Sequence, residues 1–174
     1  FIKPWTAVRD ASGGETYSQQ FLTPSIIEGI RQKLEVTAIM RHKLSYAGID
    51  LQQEVVQAKA WSKKGKTYVK ERSILRRGVM LSPVIYIAFS TLEDACKASL
   101  QHICLCRNED ILLPESNIQE LSISEFDKLE GYELRFGESE QSFLVGYNRF
   151  KNNEEMYGWI EIVGNPTKVH KYGE

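Results

Sequence analysis

The strongest constraint on the fold is the stretch from Gln53 to Arg77, which has the pattern of two β-strands joined by a tight turn. Lys64-Gly65 is the predicted turn, because glycine adopts a positive φ without a steric penalty. A two-residue loop would set the register of the whole ribbon, and with it the face on which each side chain lies. The resulting pairs are Lys63 with Lys66, Trp61 with Tyr68, Lys59 with Lys70, Gln57 with Arg72 and Val55 with Ile74.

Capping signals predict two helices outside this hairpin. Thr23 and Pro24 suit the start of the first helix, and apolar residues recur behind them at helical spacing as far as Leu34. Ser90 and Glu93 form a capping-box pattern for the second helix. Its predicted core face consists of Leu92, Cys96, Leu100 and Ile103.

Two segments between the helices have apolar character. Residues 36–46 suit either a strand or a helical extension. Residues 84–89 are β-branched and aromatic on both faces, which predicts a central, buried strand.

The second half of the chain has strand patterns at 132–136, 142–150 and 156–163, which together predict an antiparallel meander. A short helix precedes them, with Ser122 and Glu125 as a capping box and Gly131 as its C-cap. Because strands and helices cluster along the chain rather than alternate, we expect an α+β fold. The basic hairpin and the meander would form an antiparallel sheet packed with two or three helices. The whole chain, 1–174, would be a single domain with an N-terminal arm (1–20) and a mobile tail (165–174).

Charge is segregated along the chain. Residues 1–87 carry 14 basic and 7 acidic residues, a net charge of +7, and residues 88–174 carry 8 and 16, a net charge of −8. Such asymmetry favours an anionic partner for the first half, although the two halves could also attract each other. No apolar run approaches the length of a membrane span, so no membrane partner is predicted.

The hairpin holds the candidate binding residues. Lysines and arginines concentrated on one ribbon repel each other, and phosphates would relieve that repulsion. Aromatic side chains near the tip could stack on unpaired bases. We therefore predict a non-enzymatic module that binds RNA or single-stranded DNA, an accessory subunit of a larger ribonucleoprotein or DNA-processing assembly. The predicted contact residues are Lys59, Trp61, Lys63, Lys64, Lys66, Tyr68, Lys70, Arg72, Arg76 and Arg77.

Two other functions remain open at this point. The first is a protein-interaction or small-ligand domain that self-associates through its opposite charges, with the aromatic meander as the pocket. The second is a metal-dependent nuclease built on Asp50, Glu54, Gln57 and Lys59, in which the acid lies too near Gln57 for the usual two-strand geometry.

Catalysis and cofactors have little support in the sequence. Cys96, His102, Cys104 and Cys106 lie close together, but their spacing is unlike that of structural zinc knuckles. We therefore predict no catalytic residue, no metal and no cofactor. Three cysteines without a framework spacing favour a reduced, cytoplasmic setting.

Overall fold

A computed structural model of the protein describes residues 8–9, 15–17, 20–56, 61–70, 73–104, 111–148 and 151–167. In chain order the elements are β1 (Val8–Arg9), β2 (Glu15–Tyr17), α1 (Pro24–Leu34), β3 (Ile39–Ser45), β4 (Gly48–Val56), β5 (Trp61–Lys64), β6 (Thr67–Lys70), β7 (Ser73–Leu81), β8 (Val84–Phe89), α2 (Leu92–Ser99), β9 (Ile103–Cys104), β10 (Ile111–Leu112), α3 (Ile123–Lys128), β11 (Gly131–Phe136), β12 (Phe143–Asn148) and β13 (Glu154–Val163). The ambiguous segment 36–46 is thus largely a strand.

The strands form two main sheets. A five-stranded antiparallel sheet has the order β12-β13-β11-β3-β8, and a four-stranded sheet has the order β1-β2-β7-β4. The predicted α+β class is confirmed. The four-stranded sheet is mixed, because β2 runs parallel to β7. In the part of the chain that the structure describes, no helix combines the length and apolarity needed to cross a membrane.

The core lies between α1 and the five-stranded sheet. Ile30 and Leu34 of α1 are buried together with Leu44 of β3 and Met80 of β7. Successive residues of a strand point to opposite faces, so Lys43 lies on the side of the sheet that α1 does not cover. There it meets α3, which begins with the predicted Ser122–Glu125 capping box.

Four predictions about individual elements need correction. Strand β8 is a strand as predicted, but it lies at the edge of its sheet. Its apolar residues are explained by packing, because Ile85, Ile87 and Phe89 lie against the buried core and the strand also contacts α2. The short helix ends at Lys128 with Leu129 as its C-cap, and Gly131 is the first residue of β11. A Cβ at Gly131 would lie 2.9 Å from the Cβ of Lys43, so close packing requires the glycine there.

Helix α2 is the third correction. Its N-cap is Thr91, whose side chain accepts a hydrogen bond from the backbone N–H of Asp94, rather than Ser90. The predicted core face is wrong in three of its four residues, since Leu92, Cys96 and Leu100 are exposed and only Ile103 is buried. The buried residue of the helix is Asp94, whose carboxylate accepts the N–H of Thr37 at 3.0 Å.

The C-terminal strands are the fourth correction, because they do not follow one another in space as a simple meander does. Strand β13 lies between β11 and β12, and Gly158 pairs with both Phe136 and Phe143. The chain therefore changes from one edge of β13 to the other beside Gly158. A side chain there would collide with the backbone, since a Cβ would lie 2.4 Å from the carbonyl oxygen of Arg135.

The ends of the chain are partly anchored. The predicted N-terminal arm contains β1 and β2, and β2 joins β7. At the other end, the carbonyl oxygen of Pro166 accepts the backbone N–H of Tyr46 at 2.9 Å, so the predicted tail begins with a fixed turn. Residues 168–174 lie outside the described part of the chain.

Candidate nucleic-acid interface

The predicted hairpin is longer than the sequence indicated. Strands β4 and β7 pair from Gly48–Leu81 to Val56–Ser73. Strands β5 and β6, which lie between them in the sequence, pair as a separate two-stranded sheet that ends in the turn. The pair Val55–Ile74 is confirmed. We call these two pairs of strands together the arm, and the β5–β6 turn its tip.

The register at the tip differs from the predicted one. The turn residues are Gly65 and Lys66, with Gly65 at a φ of 66°. Lys63 therefore pairs with Tyr68, and Trp61 pairs with Lys70, so the predicted Trp61–Tyr68 pair is wrong. Between the two paired regions the chain has four residues on one side, 57–60, and two on the other, 71–72. The register of β5–β6 is thus offset by two residues from that of β4–β7.

The tip presents an aromatic ring beside a cation. Tyr68 is 62% exposed, and Lys63 lies directly opposite it in the ribbon. Side chains at directly opposite positions lie on the same face, a few ångströms apart. Lys66 is exposed in the turn. The tip can therefore offer a flat apolar surface and two ammonium groups to the same ligand.

The ammonium groups of Lys63 and Lys66 have no carboxylate within ion-pair distance among the described residues. Lys64, Arg76 and Arg77 differ, since each interacts with other parts of the chain. Arg76 is exposed, whereas Arg77 is half-buried. Two of the ten predicted contact residues, Lys59 and Arg72, lie outside the described residues. For Trp61 and Lys70 only the backbone pairing is described.

Sequence reasoning did not single out the apolar surface of the arm. Ile49, Leu51, Val55 and Ile74 are all exposed, Val55 and Ile74 by about 60%. All four occupy positions on one face of the β4–β7 ribbon. Apolar residues recur at alternate positions of β4, which indicates that one face of the strand is apolar. The pattern does not reveal whether another part of the protein covers that face.

Arg41 and Lys43 do not extend the basic surface. Lys43 is fully buried, and its Nζ donates hydrogen bonds of 2.8 Å to the carbonyl oxygens of Asp127 and Leu129. Arg41 donates two hydrogen bonds to the carboxylate of Glu133, at 2.6 and 2.7 Å. Both cations also lie over the ring of Phe126, with Arg41 at 5.2 Å and Lys43 at 5.6 Å from the ring centroid. These charges fasten α3 to the sheet and are withdrawn from solvent.

Asp127 adds a second carboxylate beside Arg41. Its Oδ1 lies 2.8 Å from the guanidinium, although the angle falls outside hydrogen-bond geometry and leaves that oxygen without a hydrogen-bond partner in the described residues. Glu133 and Asp127 together strengthen the charged form of Arg41, and hence raise its pKa. The two cations, Arg41 and Lys43, are thus balanced by two carboxylates, Glu133 and Asp127.

An acidic surface lies far along the chain from the arm. Beyond α3 the same sheet face carries Arg135, which is paired with Glu161 at 3.1 Å and lies over the ring of Trp159. At the outer edge, β12 and β13 expose Tyr147 and its cross-strand neighbour Glu155. This surface was predicted only as a possible aromatic pocket.

A shallow, open pocket of about 290 Å³ lies beside α1, away from these C-terminal aromatics, and its lining includes Ile26, Lys33 and Ile103. It carries few polar groups, so it offers little to orient a ligand.

The residues of the nuclease and zinc hypotheses are not brought together as far as they are described. Asp50 is exposed, and its carboxylate accepts the N–H of Leu51. Gln57, Lys59 and Cys106 lie outside the described residues. Cys96 and Cys104 are exposed thiols. Across the described ranges no three His, Cys, Asp or Glu side chains form a group that could hold a metal ion.

Comparisons with protein-family models, with curated proteins and with solved structures give no match to this chain.

Proposed function

We propose that this protein is a nucleic-acid-binding module that holds single-stranded RNA or DNA at the tip of its arm. The observation that carries the proposal is the exposed ring of Tyr68 opposite Lys63, next to Lys66, with neither ammonium group neutralised by a described carboxylate. In this arrangement a base would stack on Tyr68 while the adjoining phosphates contact the lysines.

Two physical terms support this arrangement. Each neutralised phosphate releases condensed counterions, which favours binding at low salt. A base stacked on an aromatic side chain contributes about 1–3 kcal/mol. Stacking requires an unpaired base, so we propose a single-stranded ligand. The acidic second half of the chain would face a basic partner protein in a larger assembly.

A salt titration with matched lysine variants tests the electrostatic part. Binding of a fluorescent oligouridine and an oligothymidine would be followed by anisotropy in the wild type, in Lys63→Ala/Lys66→Ala and in Lys33→Ala/Lys151→Ala. The control removes two exposed lysines outside the arm. We expect the arm variant to flatten the log–log salt slope by about 1.4, from about 0.7 for each lost phosphate contact, and the control to keep the wild-type slope. Equal slopes in all three proteins would refute the proposal.

Two substitutions of Tyr68 test the stacking part. Tyr68→Ala should raise the Kd by roughly 5- to 150-fold, because the stacking surface is lost. Tyr68→Phe keeps a ring of the same size and should leave the Kd within about twofold of the wild-type value. Unchanged binding by Tyr68→Ala would place the ligand elsewhere.

A protein partner is the second candidate function. It is favoured by the exposed apolar face of the arm, since exposed apolar surface on one face often marks an interaction site. Val55→Ser should leave nucleic-acid binding unchanged under the first proposal. A protein partner that binds through this face would be lost with the same substitution.

A further inference from the structure

Two surfaces of this chain are complementary in both charge and apolarity. The first is the arm surface, which consists of Lys63, Lys66 and Tyr68 at the tip together with Val55 and Ile74 of the β4–β7 ribbon, all of them exposed. The second, which we call the acidic edge, lies on the β12–β13 hairpin and the loop before it. It consists of Glu138, Glu140, Leu144, Tyr147 and Glu155, of which Leu144, Tyr147 and Glu155 share one face of the hairpin.

The acidic edge includes the outermost strand of its sheet. Among the described residues this is β12, and a bulge at Val145 interrupts its pairing with β13. Leu144 and Tyr147 are exposed to 42% and 56%. An edge strand with exposed apolar side chains is a ready site for association with another chain.

The carboxylates of the acidic edge have no cationic partner in the part of the chain that the structure describes. None of Glu138, Glu140 and Glu155 has a Lys or Arg within ion-pair distance there. Glu155 accepts a hydrogen bond from the hydroxyl of Tyr157. Lys151 in the nearby turn is the one cation of this hairpin's described residues, so the edge keeps a net negative charge.

We propose that the acidic edge of one copy of this protein docks the arm surface of a second copy. The lysines of the arm would lie against the glutamates, and the apolar residues of the two surfaces would cover one another. Two arms cannot pair face to face, since their lysines would repel, and the acidic edge repels nucleic acid for the same reason. A second copy supplies positive charges that would pair with the glutamates of the edge and apolar residues that would cover Leu144 and Tyr147. Reciprocal docking closes a dimer, and one-way docking extends a chain of copies.

Sedimentation velocity on the nuclease-treated full chain tests the proposal, at about 50 mM and about 500 mM salt. We expect species larger than the monomer at low salt and dissociation at high salt. Lys63→Glu/Lys66→Glu and Glu138→Lys/Glu155→Lys should each weaken association by more than roughly tenfold, because like charges then meet across the interface. Glu115→Lys/Glu120→Lys makes the same change in net charge on exposed residues elsewhere and should associate like the wild type.

A charge exchange distinguishes docking from simple repulsion or misfolding. The fourfold variant, which combines both pairs of reversals, should regain association because each surface again meets its opposite. A wild type that is monomeric at both salt concentrations, or a fourfold variant that stays monomeric while folded by circular dichroism, would overturn the proposal. Since the protein is free of nucleic acid, neither outcome bears on the anisotropy experiment, and the two proposals fail separately.

Discussion

His42 is a buried histidine with an unsatisfied nitrogen. Its side chain is 4% exposed, and Nε2 has no hydrogen-bond partner in the described residues. Burial penalises the imidazolium and lowers the pKa of His42 from 6.5 to about 4, which the nearby carboxylate of Glu133 only partly opposes. The folded state therefore holds this residue neutral at physiological pH.

The lowered pKa makes stability depend on pH. Between pH 6.5 and 4 the unfolded chain binds a proton at His42 that the folded chain does not, so stability falls as the pH falls. Across this range, the shift in the pKa of His42 corresponds to a change of about 3 kcal/mol in the free energy of unfolding. Urea unfolding across this range should show a shallower pH dependence for His42→Gln than for the wild type. His102→Gln, at an exposed position, should follow the wild-type curve. Parallel curves for all three proteins would contradict a depressed His42 pKa.

Two glycines should respond oppositely to the same added methyl group. Gly158→Ala forces a Cβ against the carbonyl oxygen of Arg135, so we expect a loss of about 1–3 kcal/mol. Gly29→Ala adds a Cβ in open space within α1, where alanine is favoured over glycine by about 1 kcal/mol. Chemical denaturation of both variants measures the two signs. If Gly158→Ala left the free energy of unfolding unchanged, β11 and β12 would not pair with opposite edges of β13 at residue 158.

At the scale of elements, the buried carboxylate of Glu133 in β11 binds Arg41 of β3 on the sheet face that α3 covers. Glu133 is 1% exposed, and Glu133→Gln would leave Arg41 with the carboxylate of Asp127 alone, so we expect a cost of about 1.5–3 kcal/mol. Glu161→Gln disrupts a similar pair with Arg135 that is about one-third exposed, and should cost less than about 1 kcal/mol. Comparable losses on denaturation would argue against a special role for the buried pair.

Local sequence signals predicted the existence of most elements but not their neighbours. The Lys64-Gly65 turn and the alternation beside it predicted a hairpin and the pair Val55–Ile74. They missed the tip register, because the two-residue offset between the pairing of β4–β7 and that of β5–β6 leaves no trace in residue preference. The exposure of Tyr68 was unpredictable for a related reason, since it depends on what packs nearby rather than on the ribbon itself.

Helix α2 illustrates how a single contact decides a face. Ser90 and Thr91 are adjacent, and each has an acidic residue three positions later, so the sequence permits either cap. The structure selects Thr91, and Asp94 binds the N–H of Thr37, 57 residues away. Leu92 lies two positions from Asp94, about 200° around the helix, so the contact that buries Asp94 leaves Leu92 exposed. Long-range contacts of this kind have no local signature.

For the whole molecule, the two proposals assign two ligands to the same tip: a nucleic acid and the acidic edge of a second copy. If Lys63 and Lys66 bind both phosphates and the acidic edge of a second copy, the two ligands exclude each other. Adding oligouridine to the self-associated protein at low salt should release protein monomers bound to RNA, visible by sedimentation. If RNA bound without dissociating the protein assembly, the two ligands would not share these lysines.

The most direct test of the central claim is photo-cross-linking of a 4-thiouridine oligonucleotide followed by mass spectrometry of the linked peptides. We expect the cross-link in the peptide that contains Tyr68, with a large loss in Tyr68→Ala and in Lys63→Ala/Lys66→Ala. A cross-link that maps instead to the sheet face around Tyr147 and Trp159, or one that survives all three substitutions, would contradict binding at the tip of the arm.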